Sequence, residues 1–423
     1  MKKMLKTILF LLFVTFSHGE KGCEISIDFQ DGDLKEPQPL ILTNSYKVFY
    51  PDENGILTFS SGQSILLACP DKNNGFNAPF NSQHIIKASC VQSKQFKVNG
   101  KSYSFHSFTC KKSQKSVVKR KGTCLNKFSQ VDVGFRVLDN FVSIYEICRD
   151  DDTDETYYVK EEMTASVGGH QSKNPRPTWS SHNLFQGKVD NFYKQKHQKS
   201  ILKQILKSDE LVQKYFKKAQ LQRGHLAARS DFVYGIQQNA TFSYANAAPQ
   251  WSSFNTGNWK YIENAVRQFV QVNDLEVTIY TGVHGQMTLN DINNNKQPLF
   301  LDIDENNNNY IRVPKFFWKI VYDPIKYLAL TLIGVNDPFS EKVTKDMFLC
   351  KDIAKSSKFD WLTKSWRKRT QISLGFSYIC DYNEIKKVVH TLPKLKVKGS
   401  LESSVNISLD DIEENNDSDD END

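Results

Sequence analysis

Eight cysteines set the strongest limit on how this chain can fold. Cys23, Cys69, Cys90, Cys110, Cys124 and Cys148 crowd the first 150 residues, while Cys350 and Cys380 stand far downstream. An even number fits a disulfide framework, provided the chain leaves the reducing cytosol. The amino terminus supplies that condition: Lys2 and Lys3 precede an apolar run over 8–16 and then Ser17-His18-Gly19, the charged, apolar and small-residue order of a secretory leader. A membrane span needs about 20 apolar residues, and no run here reaches that length. The chain is therefore expected to carry a leader over 1–19, to be secreted into the extracellular space, and to lack a stable membrane anchor. The simplest partition places three bridges within the first group and one between Cys350 and Cys380; pairing inside the first group stays open. No CxxC pair or Cys/His cluster has zinc spacing.

A chain of 423 residues, 39% hydrophobic, is long enough for two cores. Residues 23–150 read as a small disulfide-tied β domain, from short alternating runs at 24–29, 64–69 and 141–148 broken by Gly, Pro and Asn. The acidic stretch Asp150-Asp151-Asp152-Thr153-Asp154-Glu155 marks a junction, unless the chain continues straight into a strand at 156–159. A second domain is expected over 155–395. Within it, 191–218 has the spacing of one or two helices with a basic outer face, and the Asn- and Asp-rich stretch 290–309 reads as a long loop. Trp361, Trp366 and Arg367-Lys368-Arg369 fit either a core or a platform for unpaired bases. The sequons Asn239-Ala240-Thr241, Asn406-Ile407-Ser408 and Asn416-Asp417-Ser418 gain meaning from export.

Charge is distributed unevenly. Residues 402–423 hold ten of the 48 acidic residues and none of the 55 basic ones, with no aromatics, a composition that reads as a disordered tail. The body of the chain is thus more positive than the net +7 implies, which suits a polyanionic partner bound in a salt-sensitive way. The tail is also a candidate phosphate mimic able to fold over a basic cleft.

The richest chemistry lies in Gln222-Arg223-Gly224-His225-Leu226, followed thirty residues after His225 by Asn255 and then by Glu263 and Arg267. If the segment before Ala227 is extended, Arg223 and His225 share a face, placing a phosphate clamp beside a base. Downstream, 258–272 carries Trp259, Ile262, Val266, Phe269 and Val270 in helical rhythm. At about 100° per residue, Glu263 lies about 80° and Arg267 about 120° around from Asn255, so all three share one flank. Asn and Glu on a helix beside His on a strand suit one hard divalent ion that prefers oxygen ligands.

These residues resemble a known family. Arg223-Gly224-His225-Leu226-Ala227, Tyr244-Ala245-Asn246-Ala247-Ala248-Pro249-Gln250, and Phe254-Asn255 with Trp259, Glu263 and Arg267 resemble the DNA/RNA non-specific endonucleases, the ββα-metal or His-Me finger nucleases. Thr281-Gly282, Val313-Pro314-Lys315-Phe316-Phe317-Trp318-Lys319 and 332–336 match in order. The overall look is most like the secreted animal members that degrade DNA and double-stranded RNA. The resemblance implies an α+β fold, a ββα-metal domain with a mixed or antiparallel sheet and flanking helices, behind the small β domain. It implies His225 as general base, Asn255 as the direct ligand of Mg²⁺, with Mn²⁺ as substitute, and Glu263 as the carboxylate that orients the ion's water shell. It implies Arg267, Arg223 and Asn246 as phosphate-holding groups, and Arg176 as a further one. One departure is Gln222, where the family's commonest pattern has Asp; a neutral residue cannot favour a charged imidazole as a carboxylate does, so altered metal or pH dependence is expected.

The expected activity is hydrolysis of DNA and RNA, single- or double-stranded, to 5′-phosphate products, with no obligate protein partner. The competing readings are a catalytically silent nucleic-acid scavenger, which would not require base and metal ligand together, and an esterase for small nucleotides, which the basic surplus disfavours.

Overall fold

The computed structural model describes residues 22–81 and 83–407; the leader expected at 1–19 and the distal tail, 408–423, lie outside the described residues. A nine-stranded sheet organises the molecule. Ser377–Cys380, Leu328–Val335, Phe316–Asp323, Glu276–His284, Glu155–Thr164, Asn140–Asp150, Phe128–Val137 and Val117–Cys124 follow one another as antiparallel neighbours, and Gly399–Ser400 joins in parallel beside Leu328–Val335. Period-two alternation sorts their side chains onto two covered faces. Along Phe316–Asp323, Phe316, Trp318, Ile320 and Tyr322 enter one core, whereas Phe317 and Val321 enter the other. Lys319, between Phe317 and Val321, is therefore carried to an apolar face.

The helix Lys260–Val272 packs on that face against Glu155–Thr164. Its buried residues Ile262, Ala265, Val266, Phe269 and Val270 recur at i, i+3, i+4, i+7 and i+8, as the sequence rhythm predicts. After Asn273 the backbone turns left-handed at Asp274 (φ 46), which ends the helix.

The amino-terminal unit contains a five-stranded antiparallel sheet, Leu40–Leu42, Ser64–Ala68, Ile85–Gln92, Gln95–Val98 and Lys101–Ser104, beside a ribbon of Cys23–Ser26 with Ile56–Phe59. Cys23–Cys90 and Cys69–Cys110 tie this unit, Cys124–Cys148 ties one side of the large sheet, and Cys350–Cys380 ties the other. Each such closure contributes about 2–4 kcal/mol.

Several expectations need correction. The boundary at 150 falls inside the large sheet: Asn140–Asp150 pairs with Glu155–Thr164, so the acidic stretch is a hairpin turn, with Asp154 in left-handed conformation (φ 58). One continuous apolar cluster also runs from Phe59 and Phe96 to Phe269 and Ile279, so the amino-terminal unit shares its core with the rest. The stretch 290–309 is mostly two hairpins, Thr288–Asn290 with Lys296–Pro298 and Phe300–Ile303 with Asn309–Arg312. Asp291 and Asp304 close their turns by accepting backbone N–H groups, so the Asn and Asp residues mark turn chemistry. Trp361 and Trp366 are 4% and 1% exposed, stacked on Phe269 and Tyr261, so they serve the core and not a base platform. The first residues of the expected tail, 402–407, pack on the fold: Ile407 is buried and its N–H donates to the Trp361 carbonyl. Helices Gln195–Leu206 and Asp209–Phe216 form as expected, the second capped by Ser208, which accepts from the Leu211 N–H.

Candidate active site

The strand Leu221–His225 pairs antiparallel with Ala247–Trp251, setting His225 opposite Ala247 and Gly224 opposite Ala248. A Cβ on Gly224 would stand 2.2 Å from Gln250 Oε1, so only glycine admits this approach. Arg223 and His225 project together, as alternation requires. The imidazole of His225 lies between Trp179, 4.7 Å between ring centroids, and the edge of Phe242 at 5.3 Å. The Arg223 guanidinium stands 5.3 Å over the same Trp179 ring, a cation–π contact that orders Arg223 and His225 on one aromatic wall.

Trp179 is itself held by the main chain beside it. The Ser180 N–H donates to the Phe242 carbonyl at 2.9 Å, and the Tyr244 N–H donates back to the Ser180 carbonyl at 3.0 Å. His182 ends this segment, and burial pulls its imidazole down from the ordinary 6.5 to about 4. The folded state thus prefers neutral His182 while the unfolded chain takes up the proton first. Stability is complete above 6.5 and falls as the pH drops toward 4, by up to about 3 kcal/mol. In denaturant titrations at several pH values, His182→Asn, which tolerates the local φ of 49, should flatten this acid loss; equal slopes in both proteins would refute the assignment.

After Ala247–Trp251 the chain makes a short turn, Ser252–Phe254, then a kinked segment, Asn255–Trp259, in which Gly257 leaves helical geometry (φ −95, ψ −122), before entering Lys260–Val272. Asn255 and Glu263 converge on the cleft that also exposes Arg176, Arg223, His225, Ala228, Arg229 and Phe242, a space of about 410 Å³ open to solvent. Three arginines against one carboxylate give the cleft an anion-binding balance.

Two sequence-derived site residues do not line this cleft. Asn246 is wholly buried; its Oδ1 accepts from the Ala227 N–H, and its Nδ2 donates to the Ala227 and Thr241 carbonyls, each at 2.9 Å. With its amide spent on backbone, it fixes the turn after His225 and offers nothing to phosphate. Arg267 turns away: Nη1 donates to Asp231 Oδ1 at 2.7 Å and Nη2 to Asn264. Arg267 stands one turn beyond Glu263 on the same regular helix, where Asp231 and Asn264 take its guanidinium; rotation about the axis gives the flank but not these partners. Conversely, spacing missed Arg229, four residues after His225, whose Nη2 donates to the Asn174 carbonyl at 2.6 Å.

Asp231 ends the same short helical turn that carries Arg229, and it faces inward. Burial pushes its carboxyl up, yet Lys319 and Arg267 outweigh this and hold it below the usual range. Lys319, fully buried, places Nζ 3.4 Å from Asp231 Oδ2. Glu161 completes the group: burial first, then Asp231 beside it, raise its carboxyl well above the ordinary value.

The donor set also fits a hard divalent ion. Asn255 Nδ2 donates to Gln222 Oε1 at 2.9 Å, which leaves the carboxamide oxygen for a ligand, and the Glu263 carboxylate shares the cleft. Among the described residues no group of three or more His, Cys, Asp or Glu forms an all-protein cage. Mg²⁺-type sites keep most of their waters and use one or two protein oxygens, so this sparse set is sufficient.

A histidine and an arginine on a strand, facing an Asn at the turn and a Glu on the helix that follow it, are the arrangement of a ββα-metal fold. The match to the DNA/RNA non-specific endonuclease family covers residues 126–381, more than half of the chain, and the chain belongs to that family: it is a nuclease, of a metal-dependent kind that acts on nucleic acid. Among curated relatives, a salivary endonuclease of Lutzomyia longipalpis is 27% identical over 89% of this chain and 86% of its own length. Salivary protein Tsal2A of Glossina morsitans morsitans is 27% identical over 89% and 94%. A salivary endonuclease of Culex quinquefasciatus is 26% identical over 90% and 92%. No helix among the described residues is long and apolar enough to cross a membrane.

Proposed function

We propose that this nuclease is a secreted, Mg²⁺-dependent endonuclease that hydrolyses DNA and RNA, duplex RNA included, with little sequence preference. The observation that carries this reading is the shared cleft of His225, Asn255 and Glu263 with Arg176, Arg223 and Arg229. His225 takes a proton from the attacking water; water oxygen bonds to phosphorus, the bond to the 3′ oxygen breaks, that oxygen takes up a proton from solvent, and 5′-phosphate and 3′-hydroxyl ends result. Asn255 and Glu263 would hold the ion, which would supply Lewis-acid stabilisation of charge on the phosphate and the leaving oxygen. The arginines hold the scissile phosphate and its neighbours. Phosphate contacts carry no sequence information, and no base-reading motif accompanies them. Secretion is supported by the leader-like amino terminus and by the salivary names of the relatives.

The test is time-resolved cleavage of supercoiled plasmid and long duplex RNA by the mature chain, with Mg²⁺ or with EDTA. Nicking before linearisation, lost in EDTA, is expected. Retarded migration without cleavage would instead support the scavenger reading, and turnover of mononucleotide esters alone the esterase reading.

Gln222 acts here through Asn255. A carboxylate in its place would add negative charge beside the ion's ligand, so Gln222→Asp is expected to lower the Mg²⁺ concentration for half-maximal cleavage several-fold. A metal titration and pH profile both superimposable on those of the parent chain would remove Gln222 from the account.

A further inference from the structure

Buried amides connect the amino-terminal β unit to the arginines of the cleft. Gln171, 3% exposed, donates from Nε2 to the Ile27 carbonyl at 2.5 Å and accepts at Oε1 from the Gly235 N–H at 2.6 Å. Gln238, 1% exposed, donates from Nε2 to the carbonyls of Gln171 at 2.7 Å and Phe232 at 3.0 Å. Its Oε1 accepts from Asn174 Nδ2 at 2.7 Å, and the Asn174 carbonyl in turn receives Arg229 Nη2. Arg176 follows two residues later in the same irregular segment and lines the same cleft. The seam around this relay is tight. A Cβ on Gly235 would stand 2.8 Å from Asn174 Nδ2, and one on Gly169 would stand 2.2 Å from the Gly55 nitrogen. The Tyr234 hydroxyl donates to the Phe49 carbonyl at 2.5 Å, and Gln237 Nε2 to the Tyr50 hydroxyl at 3.0 Å.

A fully bonded buried amide selects one geometry, because any displacement strands a donor or acceptor away from water. Arginine is otherwise rich in rotamers, and fixing one of its nitrogens removes ordering cost that phosphate binding would bear. We infer that Gln171 and Gln238 are positioning residues of the nuclease: they set the Asn174 carbonyl so that Arg229, with Arg176 beside it, stands ready for substrate phosphates. The amino-terminal β unit thereby buttresses the wall of the cleft from behind, through Ile27 and Gln171. This rests on the nuclease reading, in which Arg229 contacts phosphate.

The test uses the full mature chain and four proteins, the parent, Gln238→Ala, Arg229→Ala and the double variant. KM and kcat for a long duplex are measured in Mg²⁺, and the dissociation constant for the same duplex in EDTA, between about 50 and 200 mM salt. Gln238→Ala is expected to raise KM and the EDTA dissociation constant about tenfold and to flatten the salt slope by about one phosphate contact. In the Arg229→Ala background it should add almost nothing, since the arginine it positions is gone. Equal effects in both backgrounds, or a lower melting temperature with KM and salt slope unchanged, would overturn the inference. If Gln238→Ala does not fold, Asn174→Ala breaks the same link while keeping the carbonyl, and the cycle is read on it. A parent chain that binds duplex without cutting it would sink the nuclease reading alone, because the binding arm still decides the relay; one that binds no nucleic acid would overturn both.

Discussion

Replacing His225 with alanine is expected to slow phosphodiester cleavage by about 10²–10⁴-fold while leaving duplex affinity in EDTA within about twofold of the parent. The asymmetry follows from what each group does. A general base acts only as the proton leaves water, so its loss appears in kcat, whereas Arg176, Arg223 and Arg229 meet phosphate in ground state and transition state alike. The imidazole also fills the gap between Trp179 and Phe242, and Arg223 rests on that same Trp179. Part of any loss from alanine could therefore come from a shifted clamp. His225→Gln separates the two, because it fills space without accepting the proton at neutral pH. Single-turnover rates as low in the Gln variant as in the Ala variant, with partial rescue of the Ala variant by added imidazole, are the expected result. Cleavage within about tenfold of the parent in either variant would remove His225 from the base role.

Regular local geometry made the site legible, and broken geometry hid the rest. Arg223 and His225 could be placed together because a strand alternates, and Asn255 and Glu263 because a helix following a strand returns to it. Arg267 was misplaced because helical rotation gives only the flank: one turn beyond Glu263 its guanidinium is taken by Asp231, 36 residues away in sequence, and by Asn264. Asn246 has the residue type of a phosphate donor, but its amide is consumed by Ala227 and Thr241, contacts that exist only once the turn after His225 has formed. Arg229 carries a faint signal, a cation one turn past the histidine, yet its place depends on Asn174, 55 residues away. The domain boundary had a better clue. Residues 141–148 and 156–159 both read as strands, and a short Asp-rich stretch between two strands is hairpin chemistry as much as linker chemistry. The shared core between the amino-terminal unit and the rest could not be seen, since alternation says which face is buried and not against what.

Asp231→Ala is expected to destabilise the fold by about 3–5 kcal/mol, the cost of leaving buried charge without its counterion. Lys319 is fully buried, and Asp231 is the carboxylate that answers it; Arg267 reaches the same carboxylate from the helix Lys260–Val272. Removing that side chain strands two cations at the junction of sheet, helix and the Arg229–Asp231 turn. Glu161 cannot replace it cheaply, because burial raises its carboxyl well above the ordinary value and so opposes its ionisation. The sign for Glu161 is opposite to that for a surface carboxylate. With its folded value raised, its contribution is complete below the ordinary 4.5 and is lost as pH rises toward the folded value, where the unfolded chain releases the proton and the folded one resists. Glu161→Gln should therefore leave acid stability unchanged and increase stability at alkaline pH, while Asp231→Ala lowers it at every pH where Lys319 is charged. Urea titrations of the two variants across pH read both effects at once. Matching losses in the two would mean that Glu161 is ionised in the fold and shares the work of neutralising Lys319. Since Arg229 stands on the turn that Asp231 anchors, Asp231→Ala should also raise KM for duplex in the fraction that remains folded, linking the buried ion cluster to the phosphate wall of the cleft.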